Sequence, residues 1–364
     1  MTAATVALAV PSILEVDGNL WLSLLLKVGA VLGFFFVAPL LVGYMEHKVM
    51  AHQQARLGPM EAGGFHGWAQ LIADGVKFIQ KEDIIPRAAD RWIFAIAPGV
   101  ALVPAILIFL VIPLAPGGFA EDLDVGLFFA LAIGSISVIG VLMAAWSSAN
   151  KFSLIGGVRA AAQLIAYELP LVLAAAAVAI QAGTMSLVGI VEAQNAFQIP
   201  GTDIGIPYAV TQGIGFALFF TAALAELARP PFDMPIADSE LVFGYLTEYG
   251  GMRFAMFLLT EYAGMVSMAA LMTVLYLGGW TIWPGVVTPG CEVVGGLTSC
   301  NLVGTLIGAS VTMGKIFMLT FLMIWVRVTF PRLREDQLQR LSWLIFIPLA
   351  LLNILIVAVA KVVL

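Results

Sequence analysis

Charge is scarce in this sequence. Asp, Glu, Lys and Arg make up 11% of its 364 residues, against roughly one quarter in a typical soluble domain. That deficit excludes an ordinary water-soluble globule. The 17 basic and 23 acidic residues leave a net charge of −6, which excludes the basic surface that nucleic acid requires. Histidine occurs only at His47, His52 and His66, all in one polar stretch, so none is placed as a haem ligand inside an apolar run. The two cysteines, Cys291 and Cys300, match no zinc or iron–sulfur spacing. A GxGxxG fingerprint after a strand and a GxxxxGK[ST] phosphate loop are also missing. No metal and no redox centre are expected in this chain, so any electron chemistry belongs to partners.

What is abundant is apolar. Hydrophobic residues reach 61% and the mean hydropathy is +1.01. A bilayer-spanning helix needs roughly 20 mostly apolar residues, because the hydrocarbon offers its backbone no water. Eight runs qualify: Leu20–Tyr44, Trp92–Leu114, Val125–Ala149, Ala160–Gln181, Ile206–Ala225, Phe254–Trp280, Leu302–Val326 and Leu341–Ala360. Met1–Asn19 lacks a basic region before an apolar core, so no cleaved signal is expected. The expectation is an all-α polytopic membrane protein, a single membrane domain over 1–364 with about eight transmembrane helices.

Basic residues mark the cytoplasmic side of short loops. All but Lys27, Lys315 and Lys361 of the 17 fall in the loops after the first, third, fifth and seventh runs. The other side carries Glu121, Asp122, Asp124, Glu192 and Asp203. Both termini are therefore expected to face outward. Cys291 and Cys300 fall in the outward loop 281–301, where they read either as a disulfide in an oxidising compartment or as two inert thiols.

The first cytoplasmic segment, 45–91, is too long for a turn. EHKVMAHQQARLGP continues the first helix into solvent as far as Gly58–Pro59. In WAQLIADGVKFIQKED, Trp68, Leu71, Ile72, Val76, Phe78 and Ile79 recur near helical period, with Asp74, Lys77 and Lys81 on another face. That pattern predicts an amphipathic helix lying at the interface or against protein.

The loop 226–253 poses the sharper question. It concentrates Glu226, Asp233, Asp238, Glu240 and Glu248 with only Arg229 and Arg253 for balance. Behind it, Glu168, Glu261 and Lys315 lie within apolar runs, each costing about 2.5–3.5 kcal/mol on insertion scales unless paired or wetted. Glu168 and Glu261 sit roughly 12 and 11 Å from the cytoplasmic end of their helices, and Lys315 roughly 17 Å deep. A structural hydrogen bond between helices is one reading of such residues. Two acids at one depth, both opening toward an acidic loop, favour the other: a polar route that takes up, holds and passes protons.

These residues carry a resemblance. ELARPPFDMPIADSELVFGYLTEYGGMRFAMFLLTEY, Glu226–Tyr262, is similar to the signature loop of the H-type membrane subunit of respiratory complex I, the proton-translocating NADH:quinone oxidoreductase. EHKVMAHQQARLGP, IADGVKFIQKED, NKFSLIGGVRAAAQLIAYELP and WVRVTFPRLREDQLQRLSW match the family in order along nearly the whole chain. The resemblance implies the membrane half of a quinone chamber walled by Glu46, His47, Arg56, Asp74, Lys77, Arg229 and Asp233. It implies a proton-coupling path through Glu168, Glu226, Asp238, Glu240, Glu248 and Glu261, with Arg253 and Lys315 as structural partners. Quinone, ubiquinone or menaquinone, would be substrate, with nothing bound covalently; NADH, FMN and iron–sulfur clusters would sit in partner subunits. Those partners would be peripheral-arm iron–sulfur and quinone-site subunits, small membrane subunits, antiporter-like pump subunits and lipid. The location implied is a bacterial cytoplasmic membrane, with a mitochondrial inner membrane as the lesser alternative.

Four positions depart from the family pattern. His47 stands where arginine is usual, Ile236 where an acid is common, and Leu227–Ala228 replaces Thr–Asn. A related subunit of a membrane-bound hydrogenase complex is the alternative assignment. A stand-alone ion-coupled transporter using Glu168, Glu261 and Lys315 is a further one.

Overall fold

The Asn19 side chain accepts the backbone N–H of Leu22 and so starts α1, Leu20–Gln53. In this computed structural model, which describes residues 14, 19–197, 205–236, 238–286, 289–294 and 297–363, α1 runs for 34 residues. That is about 51 Å, well beyond the roughly 30 Å of hydrocarbon, so its last turns stand clear of the membrane. Glu46 rides on this extension. Next comes α2, Gln70–Gln80, the expected amphipathic helix. It lies against α1 and the later helix α10, Gly251–Tyr276, with Leu71 reaching toward Gly43 and Tyr262.

The hydrophobic runs become helices whose ends carry side-chain caps. Asp90 caps α3, Arg91–Ile108, and Asn150 caps α5, Lys151–Ala182, which Gly183 ends with a left-handed φ of 80°. Between them runs α4, Gly126–Ser147. A short helix, α6, Leu187–Ala196, follows at the opposite end of the bundle, capped by Ser186. After α10, Asn301 caps α11, Leu302–Thr329. The last span begins as α12, Glu335–Arg340, passes through a π-helical turn at Leu341–Phe346 and continues as α13, Ile347–Val363.

The fifth apolar run departs from expectation. It is two pieces, α7, Tyr208–Thr211, and α8, Gly213–Glu226, broken at Gln212. The 14 residues of α8 reach about 21 Å, short of a full crossing. Among the described residues, seven helices are therefore long and apolar enough to span, and α8 makes a partial eighth. Gln212 explains the break: buried, it donates to Gln181 Oε1 (2.5 Å) and Ala177 O (3.2 Å) instead of lying on a lipid face.

A second unforeseen element is an antiparallel hairpin of β1, Cys291–Val294, and β2, Leu297–Cys300. Its register sets Cys291 opposite Cys300, and a disulfide joins them. Of the two readings of these cysteines, the bonded pair is the one present. Lys315 is not a free intramembrane cation. Its Nζ donates to the carbonyls of Leu277 (2.6 Å), Gly279 (3.0 Å) and Thr281 (2.6 Å), at the end of α10.

Two helices organise the interior. α5 packs against α4, α8 and α13, while α10 packs against α3, α11 and α1. The α3–α4 crossing depends on Gly140, where a Cβ would come 2.6 Å from Ala101 N. Gly156 does the same for the acidic loop: a Cβ there would meet Gly244 Cα at 2.7 Å. Backbone thus lies directly on backbone. Stacking of Phe94 on Tyr249, centroids 4.1 Å apart, pins the other end of the loop to α3.

Candidate functional site

Two arginines and two glutamates meet where α1, α10, α11 and the start of the acidic loop converge. Glu46 is 1% exposed and Arg229 3%. Both carboxylate oxygens of Glu46 accept from Arg229 Nη1 at 2.8 Å, and Oε1 also accepts from Arg327 Nη1. Arg229 Nε lies 2.8 Å from Glu261 Oε1. Its guanidinium also sits 5.1 Å from the centre of the Tyr262 ring. The four formal charges cancel, as a buried cluster demands, because one unpaired charge would be left without water.

Local backbone places Arg229 there. α8 stops at Glu226, and Ala228 turns the chain with a φ of 49°, a left-handed conformation that asparagine tolerates better than alanine. The family's Asn at this position therefore suits the turn, and the alanine here holds it at a cost. Gln163 on α5 locks the result, donating to the carbonyls of both Ala225 (2.6 Å) and Phe232 (2.6 Å).

Beside the charge cluster lies a cavity of about 120 Å³ between α3, α4, α5, α8 and α10. Its walls are mostly apolar, with Glu226, Glu261, Tyr245, Thr260, Ser137 and Ser267 as the polar groups. Glu261 therefore belongs to both features. Glu226 Oε2 is shut from solvent and has no hydrogen-bond partner among the described residues. Glu168, half-buried on α5, is close enough to Glu226 to act on its charge. Burial first, then the charges of Glu261 and Asp233, hold the Tyr245 phenol well above its ordinary pKa. It stays protonated and can donate. Chemically, the arrangement is a set of exchangeable protons facing one partly polar void, with a balanced charge cluster at its edge.

The remaining expected residues divide sharply. Glu240 is on the surface, held by Arg159 Nη1 at 2.6 Å, and Arg159 Nε also approaches Glu335 at 3.4 Å. That arginine keeps the Glu240 carboxyl below its usual range. Glu248 accepts from Asn150 Nδ2 at 2.6 Å, beside the start of α5. Neither lines the cavity. Asp238 opens a four-residue helix, α9, Asp238–Leu241; its side chain falls outside the described ones. Asp74, half-buried on the packed face of α2, pairs with the exposed Lys77 at 3.1 Å, and Arg56 Nε donates to Gln54. His47 lies half-buried one residue from Glu46, and Asp233 sits near Tyr245. Arg253, expected as a structural partner, pairs with Asp83 at 2.9 Å in the first long loop and also acts on Tyr249 of the acidic loop.

Sequence reasoning passed over Arg327, Arg159 and Tyr245. Arg327 follows an apolar run and resembles an ordinary flanking charge; only the α1–α11 contact brings it to Glu46. Tyr245 belongs to the signature GYLTEY stretch but carries no charge to attract notice.

The comparisons with known proteins agree. The family model described as NADH dehydrogenase matches residues 26–358. Proteins described as the H-type subunit of NADH-quinone oxidoreductase from Bacillus thuringiensis (strain Al Hakam), Bacillus cereus (strain AH187) and Bacillus anthracis (strain CDC 684 / NRRL 3495) are each 43% identical over 332 residues. That alignment covers 91% of this chain and 91% of each relative.

Proposed function

The chain belongs to the NADH dehydrogenase family that includes the H-type membrane subunit of NADH-quinone oxidoreductase, or complex I, and from that premise we propose that it couples quinone chemistry to proton movement. One observation carries the proposal: Glu261 is ion-paired to Arg229 on one side and lines the cavity with Glu226 on the other. Reduction of a quinone to a quinol consumes two electrons, from partner subunits, and two protons. A change of charge near Glu46 redistributes Arg229 between Glu46 and Glu261. Because Arg229 bridges the two glutamates, a displacement of its guanidinium at Glu46 is felt directly at Glu261, on the cavity wall. Tyr245, Glu226 and Glu168 are the neighbouring groups through which a proton would pass.

In this reading, Glu46, His47, Arg56, Asp74, Lys77, Arg229 and Asp233 face the quinone chamber, which peripheral-arm subunits complete. Glu240 and Glu248 have a docking role at the rim, since their partners Arg159 and Asn150 lie outside the cavity. The basic loops face the cytoplasm of a bacterium and the disulfide hairpin faces outward, consistent with an oxidising exterior. The chain forms one membrane domain, with lipid, the small membrane subunits and the pump subunits around it.

The test is Glu261→Gln in the assembled complex. NADH-driven quinone reduction is expected to fall more than about tenfold with assembly intact, the scale of losing one positioned acid–base group. Wild-type turnover with wild-type proton pumping would defeat the proposal.

A further inference from the structure

Glu168 sits in a turn of α5 that ought to be weak. Pro170 lies inside the helix and has no N–H, so it leaves the carbonyl of Ala166, four residues earlier, without its helical donor. Ala166 is buried, and an unmatched carbonyl in such a place costs free energy. The final span supplies the missing donor. Ser342 Oγ, itself fully buried, donates to Ala166 O at 2.5 Å.

Ser342 is the second residue of the π-helical turn Leu341–Phe346. Such a turn carries extra residues per revolution, which swings side chains off ordinary helical register and is frequently found at functional sites. Two more bonds surround the same stretch. Gln339 Nε2 donates to Ala162 O (3.2 Å) and Tyr167 OH donates to Leu338 O (2.9 Å). The last span and α5 are therefore joined by three hydrogen bonds within a few residues of Glu168, and one replaces a bond that proline removed.

We propose that Ser342 is a positioning residue for Glu168: by occupying the carbonyl freed by Pro170, it fixes this turn of α5 and hence the approach of Glu168 to Glu226. This rests on the reading of Glu168 as a member of the proton route. Ser342 touches no substrate and exchanges no proton in the reaction. Its effect passes through the shape of one helical turn.

The test is a double-mutant cycle in the assembled complex in native membranes. Ser342→Ala is expected to lower NADH-driven quinone reduction about fivefold, the scale of one unmatched buried carbonyl, and to shift the pH optimum of turnover. Ser342→Thr, which keeps the hydroxyl, restores both. Pro170→Ala returns an N–H to Ala166, so in that background Ser342→Ala changes the rate by less than about twofold. Equal losses in both backgrounds, or a loss with no shift in pH optimum, overturn the assignment. Should Ser342→Ala fail to assemble, Ser342→Cys, nearly isosteric and a weak donor, is read in the same two backgrounds. Glu168→Gln separates the two levels. If it moves the pH profile and Ser342→Ala does not, only the role of Ser342 falls; if it leaves the profile unmoved, the route through Glu168 falls and this assignment with it.

Discussion

Glu46 holds two arginines at once, and one of them holds a second glutamate. Replacing Glu46 with Gln leaves two arginines facing one acid; replacing Arg229 with Gln leaves two acids facing Arg327. Either change is expected to destabilise the protein by about 3–5 kcal/mol, the usual result of stranding a buried charge. Changing both restores neutrality, with Arg327 and Glu261 left as the remaining opposite charges. The double variant should therefore accumulate more folded protein than either single one, as thermal unfolding of the purified complex would register. A simple sum of the two losses would show that the charges act independently. On the surface, the Glu240–Arg159 bond is pH-sensitive in a definite direction. Because Arg159 depresses the carboxyl of Glu240, the bond contributes fully above the ordinary glutamate range and is lost as pH falls through the lowered value. Limited proteolysis of the 237–250 stretch should accelerate on acidification below that range, and Glu240→Gln should abolish the pH dependence. An unchanged acid limb in the variant would rule this tether out.

At the scale of elements, what the sequence reveals depends on the range of the interaction. Hydrophobic length shows the long spans, because each must satisfy its own backbone in lipid. The period of Trp68, Ile72, Val76 and Ile79 likewise shows α2, whose apolar face needs no distant information. The break at Gln212 does not show, since its cause is a contact with Gln181 on another helix. The hairpin was hidden for a similar reason: four-residue strands exist only as a pair, and the disulfide closes their open end. Cys291→Ser and Cys300→Ser are expected to loosen that hairpin by about 2–3 kcal/mol, given the short loop closed. Alkylation and mass measurement on non-reduced protein check the bond itself, which predicts no free thiol before reduction. Local unfolding by hydrogen exchange should rise in 289–301 without disturbing α5 or α10.

Across the whole molecule, the all-helical membrane architecture was readable from the apolar runs, and among the described residues seven helices are long and apolar enough to span. The site was readable only in part. Glu226, Arg229 and Glu261 announce themselves as charges in an oily chain, and Glu46 opens the EHKVMAHQQARLGP motif. Their convergence depends on α1, α10 and α11 meeting, a fact of tertiary packing that no local pattern contains. The same limit explains why five loop acids looked alike. In three dimensions Glu226 lies at the cavity, whereas Glu240 and Glu248 are tied to Arg159 and Asn150 at the rim.

Lys315 bears on what kind of machine this is. An ammonium group has three hydrogens, and here every one is engaged by a carbonyl at the C-terminal end of α10, where the helix dipole is negative. A cation held in that manner is a rivet. To ferry an ion or trade its proton it would have to abandon three partners together, exposing their oxygens to a dry interior. Lys315 thus fastens the segment that follows α10 to α11, and a porter that works alone would have to find its moving charge elsewhere.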